Sequence, residues 1–185
     1  WQLTAVALIL FNPTFLFLSN GVTNDALLIA LCTWSFVLLG CLLARDDPAV
    51  GWREGVLALL LGAAVLTKQT GFILLPPALL VLWVRAQRQQ WSWIKLGVVL
   101  VGGLVVVTAV GGWWYLRNGL LYGDTLALAT HNALPPVENV LERLQFSLTQ
   151  SWGAFKSYWA AFGWATIFVE PGWYHFFAGL TLVGL

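Results

Sequence analysis

Long apolar runs broken by short polar turns give the chain its first outline. A helix that crosses a bilayer needs about 20 mostly apolar residues. Gln2–Leu18 is the first candidate, and it gives way to the polar turn Ser19-Asn20-Gly21-Val22-Thr23-Asn24-Asp25. Ala26–Ala44 is the second; it carries no charge and ends at Arg45-Asp46-Asp47-Pro48, a loop signal. The third run, Val56–Val84, is too long for one upright helix. Lys68 divides it, with Thr67, Gln69, Thr70 and Gly71 alongside and Pro76-Pro77 beyond, so the pattern predicts two short helices meeting near Lys68. One long, tilted and kinked helix is the alternative. Leu96–Leu116 is the fourth, with Gly102-Gly103 and Gly111-Gly112 placed for close helix contact. A last run begins near Phe176.

Between the fourth and last runs lies Arg117–His175, the longest stretch that does not read as spanning. Within it, Leu141, Leu144, Leu148, Trp152, Phe155, Trp159 and Phe162 recur at roughly helical spacing. That spacing predicts amphipathic helices lying on the membrane surface. The organisation read from the pattern is a transmembrane helical module over 1–116 with short helices around residue 68. An extracytoplasmic loop with interfacial helices follows over 117–175, and 176–185 starts a further transmembrane helix. The chain opens without Met and both ends fall inside apolar runs, so a piece of a longer polytopic protein is expected.

Composition sharpens this outline. The chain is 59% hydrophobic and 9% charged, with a mean hydropathy of +0.80. Soluble domains carry about 25% charged residues, so the expected class is an all-α, polytopic membrane helical bundle. Twelve Trp fit an interfacial belt, where indoles are favoured. A net charge of +1 gives nucleic-acid binding no electrostatic support. Cys32 and Cys41 lie in an apolar run and read as small buried residues. No phosphate-cradling glycine loop, HExxH helix, Gly-x-Ser-x-Gly elbow or Cys/His zinc cluster occurs. Orientation follows Lys and Arg. Arg45 and Arg53 flank one loop, and Arg85, Arg88 and Lys95 mark another. Both loops are cytoplasmic if 56–84 enters and returns; Asp25, Lys68 and the segment after Leu116 then approach the extracytoplasmic side.

Two ionisable residues stand out inside apolar sequence. Asp25 is the only acidic residue in the first 45 positions, and Lys68 is the only charge between Gly55 and Val84. A charge at a helix centre in lipid costs about 2.5–3.5 kcal/mol and survives mainly where it faces a bundle interior, a cavity or water. Asp25 reads as a helix cap, or as a carboxylate at the floor of a cavity where it could bind a metal ion, a sugar hydroxyl or an acceptor; both can hold together. Asn20 and Asn24 could add hydrogen bonds beside it. Lys68 reads as a phosphate-binding cation at a break between helices, as a snorkelling lysine, or as the partner of Asp25 in a salt bridge. Arg117, after Trp113-Trp114-Tyr115-Leu116, is an interfacial anchor or a second phosphate ligand. Asp124 reads as a cap for the segment after it, and a lone loop His131 is weak support for a base.

These segments resemble a known family. Phe11-Asn12-Pro13-Thr14-Phe15 through Asn24-Asp25-Ala26-Leu27 is similar to the segment of the polytopic GT-C glycosyltransferases in which a Pro, an apolar run and an Asp follow one another. Gly62-Ala63-Ala64-Val65-Leu66-Thr67-Lys68 resembles their glycine, apolar, Leu-Thr-Lys segment. Trp113–Asn118 followed by Tyr122-Gly123-Asp124 resembles an aromatic, Arg-Asn, Tyr-Gly-Asp segment of bacterial members. The nearest branch is protein O-mannosyltransferase-like and includes the lipid A aminoarabinose transferases. The resemblance implies a polyprenyl-phosphate sugar donor and transfer outside the cytoplasm to a protein, lipid or glycan acceptor, in a multi-pass bacterial plasma-membrane protein. It implies that Asp25 is the second acidic residue of the active cavity, with Lys68 and Arg117 near the lipid phosphate. Asn20, Asn24, Asp124 and His131 would support them. A divalent metal ion, if one is used, would sit at Asp25. The family's main catalytic carboxylate is expected upstream of residue 1, so these residues alone would be inactive. Two other readings stay open: a transporter or flippase without covalent chemistry, and a non-catalytic scaffold subunit.

Overall fold

The structure is a computed structural model that describes residues 2–21, 23–44, 46–126, 139–163 and 166–184. Arg45, His131, Pro135-Pro136, Glu138 and Trp164 lie outside the described residues. Among the described residues the fold is all-α apart from one pair of two-residue strands. The chain packs as two compact units, Trp1–Thr23 with Leu134–Leu185, and Asn24–Ala133.

The unit of residues 24–133 holds helices α3 (Asn24–Leu43), α4 (Trp52–Thr67), α5 (Leu75–Arg88), α6 (Trp93–Val107) and α7 (Trp113–Tyr122). A 3-10 turn, Gln69–Leu74, leads into α5, and a π-turn, Thr108–Gly112, joins α6 to α7. Among the described residues three helices are long and apolar enough to cross a membrane: Asn24–Leu43, Gln69–Arg88 and Trp93–Tyr122. Only 11% of the last is buried within the protein, and Val98, Val101, Leu104 and Val105 face outward, as lipid-facing residues do. The core is small: Leu39 and Leu42 of α3, Leu57, Leu61 and Ala64 of α4, Leu74, and Ala78 of α5.

The chain doubles back at Lys68. The backbone there leaves the helix (φ −159°, ψ 143°), and Gly71 folds onto the last turn of α4 so closely that a Cβ would overlap the Ala64 carbonyl. The two arms then run antiparallel, because Glu54 near the start of α4 pairs with Arg85 near the end of α5. Val56–Val84 is therefore two helices and not one kinked span. With 16 residues, α4 reaches about 24 Å. Gly62 faces Val110 and Gly111 faces the Gly62 carbonyl, with no room for a Cβ at either, so α4 lies tight against the π-turn. The fourth predicted run extends past Leu116. Arg117, Asn118 and Leu120–Tyr122 are helical, and Gly123 ends α7 with φ 67°, a left-handed value that glycine adopts freely.

The other unit holds α1 (Gln2–Leu10), α2 (Pro13–Asn20), α8 (Val140–Ala160), the antiparallel pair β1 (Ala161–Phe162) and β2 (Ile167–Phe168), and α9 (Pro171–Gly184). The single helix expected over Gln2–Leu18 is broken at Asn12. Pro13 lacks an N–H and takes the first position of α2, while Asn12 caps it by accepting from the Phe15 amide at 2.8 Å. Asn12 is buried and donates to the Tyr158 carbonyl at 3.1 Å, and Thr14 Oγ1 accepts from the Ala161 amide at 3.2 Å. The Asn-Pro-Thr sequence thus ties α2 to the end of α8. Trp159 stacks on Phe177 at 4.8 Å, and the buried Tyr174 hydroxyl donates to the Ala160 carbonyl at 2.6 Å, which fixes α9 on α8. Helix α9 starts five residues before Phe176 because Pro171 opens it.

Candidate functional site

Asp25 and Lys68 meet. Lys68 Nζ donates to Asp25 Oδ1 at 2.5 Å across 43 residues of sequence. Asp25 stands in the first turn of α3, where a carboxylate complements the helix dipole. Lys68 projects from the break between α4 and the 3-10 turn. Their side chains are 25% and 38% exposed, so the pair is open to a ligand. A half-buried ion pair of this kind stabilises by about 1 kcal/mol, too little to explain two charges in apolar sequence.

The backbone around Lys68 is closely held. Its own N–H donates to the Ala64 carbonyl at 3.1 Å, and the Gly71 N–H donates to the Lys68 carbonyl at 2.8 Å. The Tyr115 hydroxyl donates to the Val65 carbonyl at 2.8 Å, and the Tyr115 ring lies 5.3 Å from Phe72. Tyr115 stands in the aromatic run Trp113-Trp114-Tyr115, and nothing local to it distinguishes a tyrosine that reaches α4.

The remaining sequence candidates spread out. Arg117 lies exposed on α7, 5.3 Å from the Trp114 ring and 6.0 Å from Tyr122. Two residues on from Tyr115 it points about 200° round the helix, away from the face that touches α4. Asp124 Oδ1 accepts from the Leu126 amide at 3.2 Å, the geometry of a turn cap. Asn24 is exposed at the start of α3. Asn20 belongs to the other unit, where it donates to the Leu16 carbonyl at 2.7 Å. His131 lies outside the described residues. Among the described residues no three His, Cys, Asp or Glu side chains gather as a metal site.

The far end of the same unit is built on a buried ion pair that the residue pattern did not single out. Arg85 and Glu54 are 1% and 7% exposed and hydrogen-bonded to each other. Arg85 also donates to the carbonyls of Asp47 at 3.1 Å and Ala49 at 2.9 Å, while Glu54 accepts from the Gly51 amide at 2.8 Å. Arg88 donates to the Leu43 carbonyl and Lys95 to the Pro48 carbonyl. Arg53, Arg85, Arg88 and Lys95 thus gather at one end of the helices and the Asp25–Lys68 pair at the other. A cavity of about 470 Å³ opens between α4, α5 and α6, lined by Leu57, Leu61, Leu79, Leu82, Val98 and Leu104 among others. It is almost wholly apolar and reaches neither Asp25 nor Lys68, so it suits hydrocarbon and carries no chemistry.

The family model of dolichyl-phosphate-mannose-protein mannosyltransferases matches residues 2–114. The chain belongs to this family. Membership makes it a membrane glycosyltransferase, in keeping with the three helices long enough to span among the described residues. The matched region takes in Asp25 and Lys68 and ends before Arg117 and Asp124. No curated protein and no solved structure matches the chain.

Proposed function

We propose that the protein transfers a sugar from a polyprenyl-phosphate donor to an acceptor on the extracytoplasmic side of the membrane, with Asp25 and Lys68 at its reacting end. The observation that carries this reading is the half-buried ion pair between α3 and the α4 break, set at the end of the helices opposite Arg53, Arg85, Arg88 and Lys95. Cationic loops stay in the cytoplasm, so the pair faces outward.

The transfer is a direct displacement. An oxygen or nitrogen of the acceptor forms a bond to the anomeric carbon as the bond from that carbon to the phosphate oxygen breaks. The electron pair leaves on polyprenyl phosphate, and the acceptor's proton passes to a carboxylate base. Lys68 stabilises the charge growing on the departing phosphate, as a preorganised cation does at a developing anion. Asp25 holds the ammonium in place before the donor arrives and accepts a hydrogen bond from the acceptor. Arg117, with its guanidinium over Trp114 and Tyr122 on the side of α7 turned away from α4, takes the interfacial-anchor role and not a place beside Lys68.

Release of polyprenyl phosphate from a labelled lipid-sugar donor tests this in the full-length protein. Asp25→Asn and Lys68→Ala are each expected to lower turnover by about 100-fold or more, as loss of one preorganised electrostatic contact does. Thermal unfolding should stay close to wild type, since the pair is only half-buried and such pairs contribute about 1 kcal/mol or less. Wild-type turnover in both variants would reduce the pair to helix capping. Movement of intact substrate without donor cleavage would make the protein a transporter.

A further inference from the structure

We propose that Tyr115 is the positioning residue for Lys68, holding both sides of the chain break from which the ammonium projects; this rests on the role proposed for Lys68 in the transfer. The last four carbonyls of a helix lose their partners inside it. At the end of α4 the Lys68 amide still reaches the Ala64 carbonyl. Lys68 is extended, so the next amide no longer follows the helix to Val65. The Tyr115 hydroxyl takes that place and donates to the Val65 carbonyl at 2.8 Å. On the other side of the break its ring packs on Phe72 of the 3-10 turn at 5.3 Å and 55°. One side chain thus touches the segment before Lys68 and the segment after it.

The setting makes Tyr115 a fixed reference. Its helix follows the π-turn, whose Gly111 lies against the Gly62 carbonyl of α4 with no space for a Cβ. Lys68, by contrast, is 38% exposed and its ammonium bonds Asp25. Asp25 holds the tip of the side chain, and the backbone at the break sets where that side chain starts. A shift at Val65 or Phe72 becomes a shift at Nζ.

Tyr115→Phe deletes the hydroxyl and keeps the ring. In the full-length protein, hydrogen exchange at the Lys68 and Gly71 amides is expected to speed up about tenfold, the scale of one hydrogen bond, with amides of Leu57–Leu61 unchanged. Phe72→Leu, which loosens the other contact and leaves the hydroxyl, should speed the same amides by a smaller factor. Unchanged exchange in both overturns the proposal. With dolichyl-phosphate mannose as donor, Tyr115→Phe should lower kcat about tenfold with KM nearly constant, and should cost less than about twofold when added to Lys68→Ala. Equal costs in both backgrounds would mean that Tyr115 does not act through Lys68. Full turnover in Lys68→Ala alone would remove the role of Lys68 in the reaction, and the exchange rates would still decide whether Tyr115 holds the break.

Discussion

At the scale of single residues, two ion pairs in one bundle differ in what they do. Lys68–Asp25 is open to its surroundings and contributes little to stability. Arg85–Glu54 is buried, and its cost of desolvation is offset by carbonyls of the 46–51 loop and the Gly51 amide. Glu54→Gln would leave Arg85 charged and unpaired in the interior, and a loss of about 3–5 kcal/mol is expected in denaturant unfolding. Replacing both partners by Leu should cost less, because neither charge remains to be buried. A double variant as unstable as Glu54→Gln would show that the surrounding hydrogen bonds, and not the charge, carry the site. Asp25 and Lys68 were legible in the sequence because each is alone in an apolar run. Glu54 and Arg85 were not, because both stand next to loops where charge is ordinary.

At the scale of elements, the break at Lys68 decides the topology. Polar neighbours and Pro76-Pro77 made a break readable, but its direction depends on Gly71 lying against the Ala64 carbonyl. Gly71→Ala forces these backbones apart and is expected to destabilise by about 1–3 kcal/mol, the range for overpacking, and to weaken turnover through Lys68. Unfolding curves and donor cleavage read both, and a neutral Gly71→Ala would mean that the reversal is held elsewhere. Helix α1–α2 carries the opposite lesson. Most residues of Gln2–Leu18 are apolar, enough for one span by count, yet Asn12-Pro13 ends one helix and caps the next. The apolar count averaged over a local signal that was written in two residues.

At the scale of the whole molecule, the antiparallel arms of α4 and α5 bring the loops 46–51 and 89–92 to the same end of their unit. Single cysteines at Asp47 and Gln90 should therefore be labelled by an impermeant thiol reagent from one side of the membrane, and those at Lys68 and Asp124 from the other. Labelling of 47 and 90 from opposite sides would break the hairpin and the orientation built on it. By itself the sequence determined that the protein is helical and lives in a membrane, because apolar run length and charge scarcity are one-dimensional properties that the bilayer reads directly. It also picked out Asp25 and Lys68, since a charge in apolar sequence is conspicuous wherever the chain goes. Tertiary structure alone decided that these two meet, that Arg117 turns away on α7, and that Tyr115 and the Glu54–Arg85 pair hold the two ends. Those outcomes depend on contacts between helices far apart in sequence, on glycine-limited approach and on rotation about a helix axis, none of which leaves a local pattern.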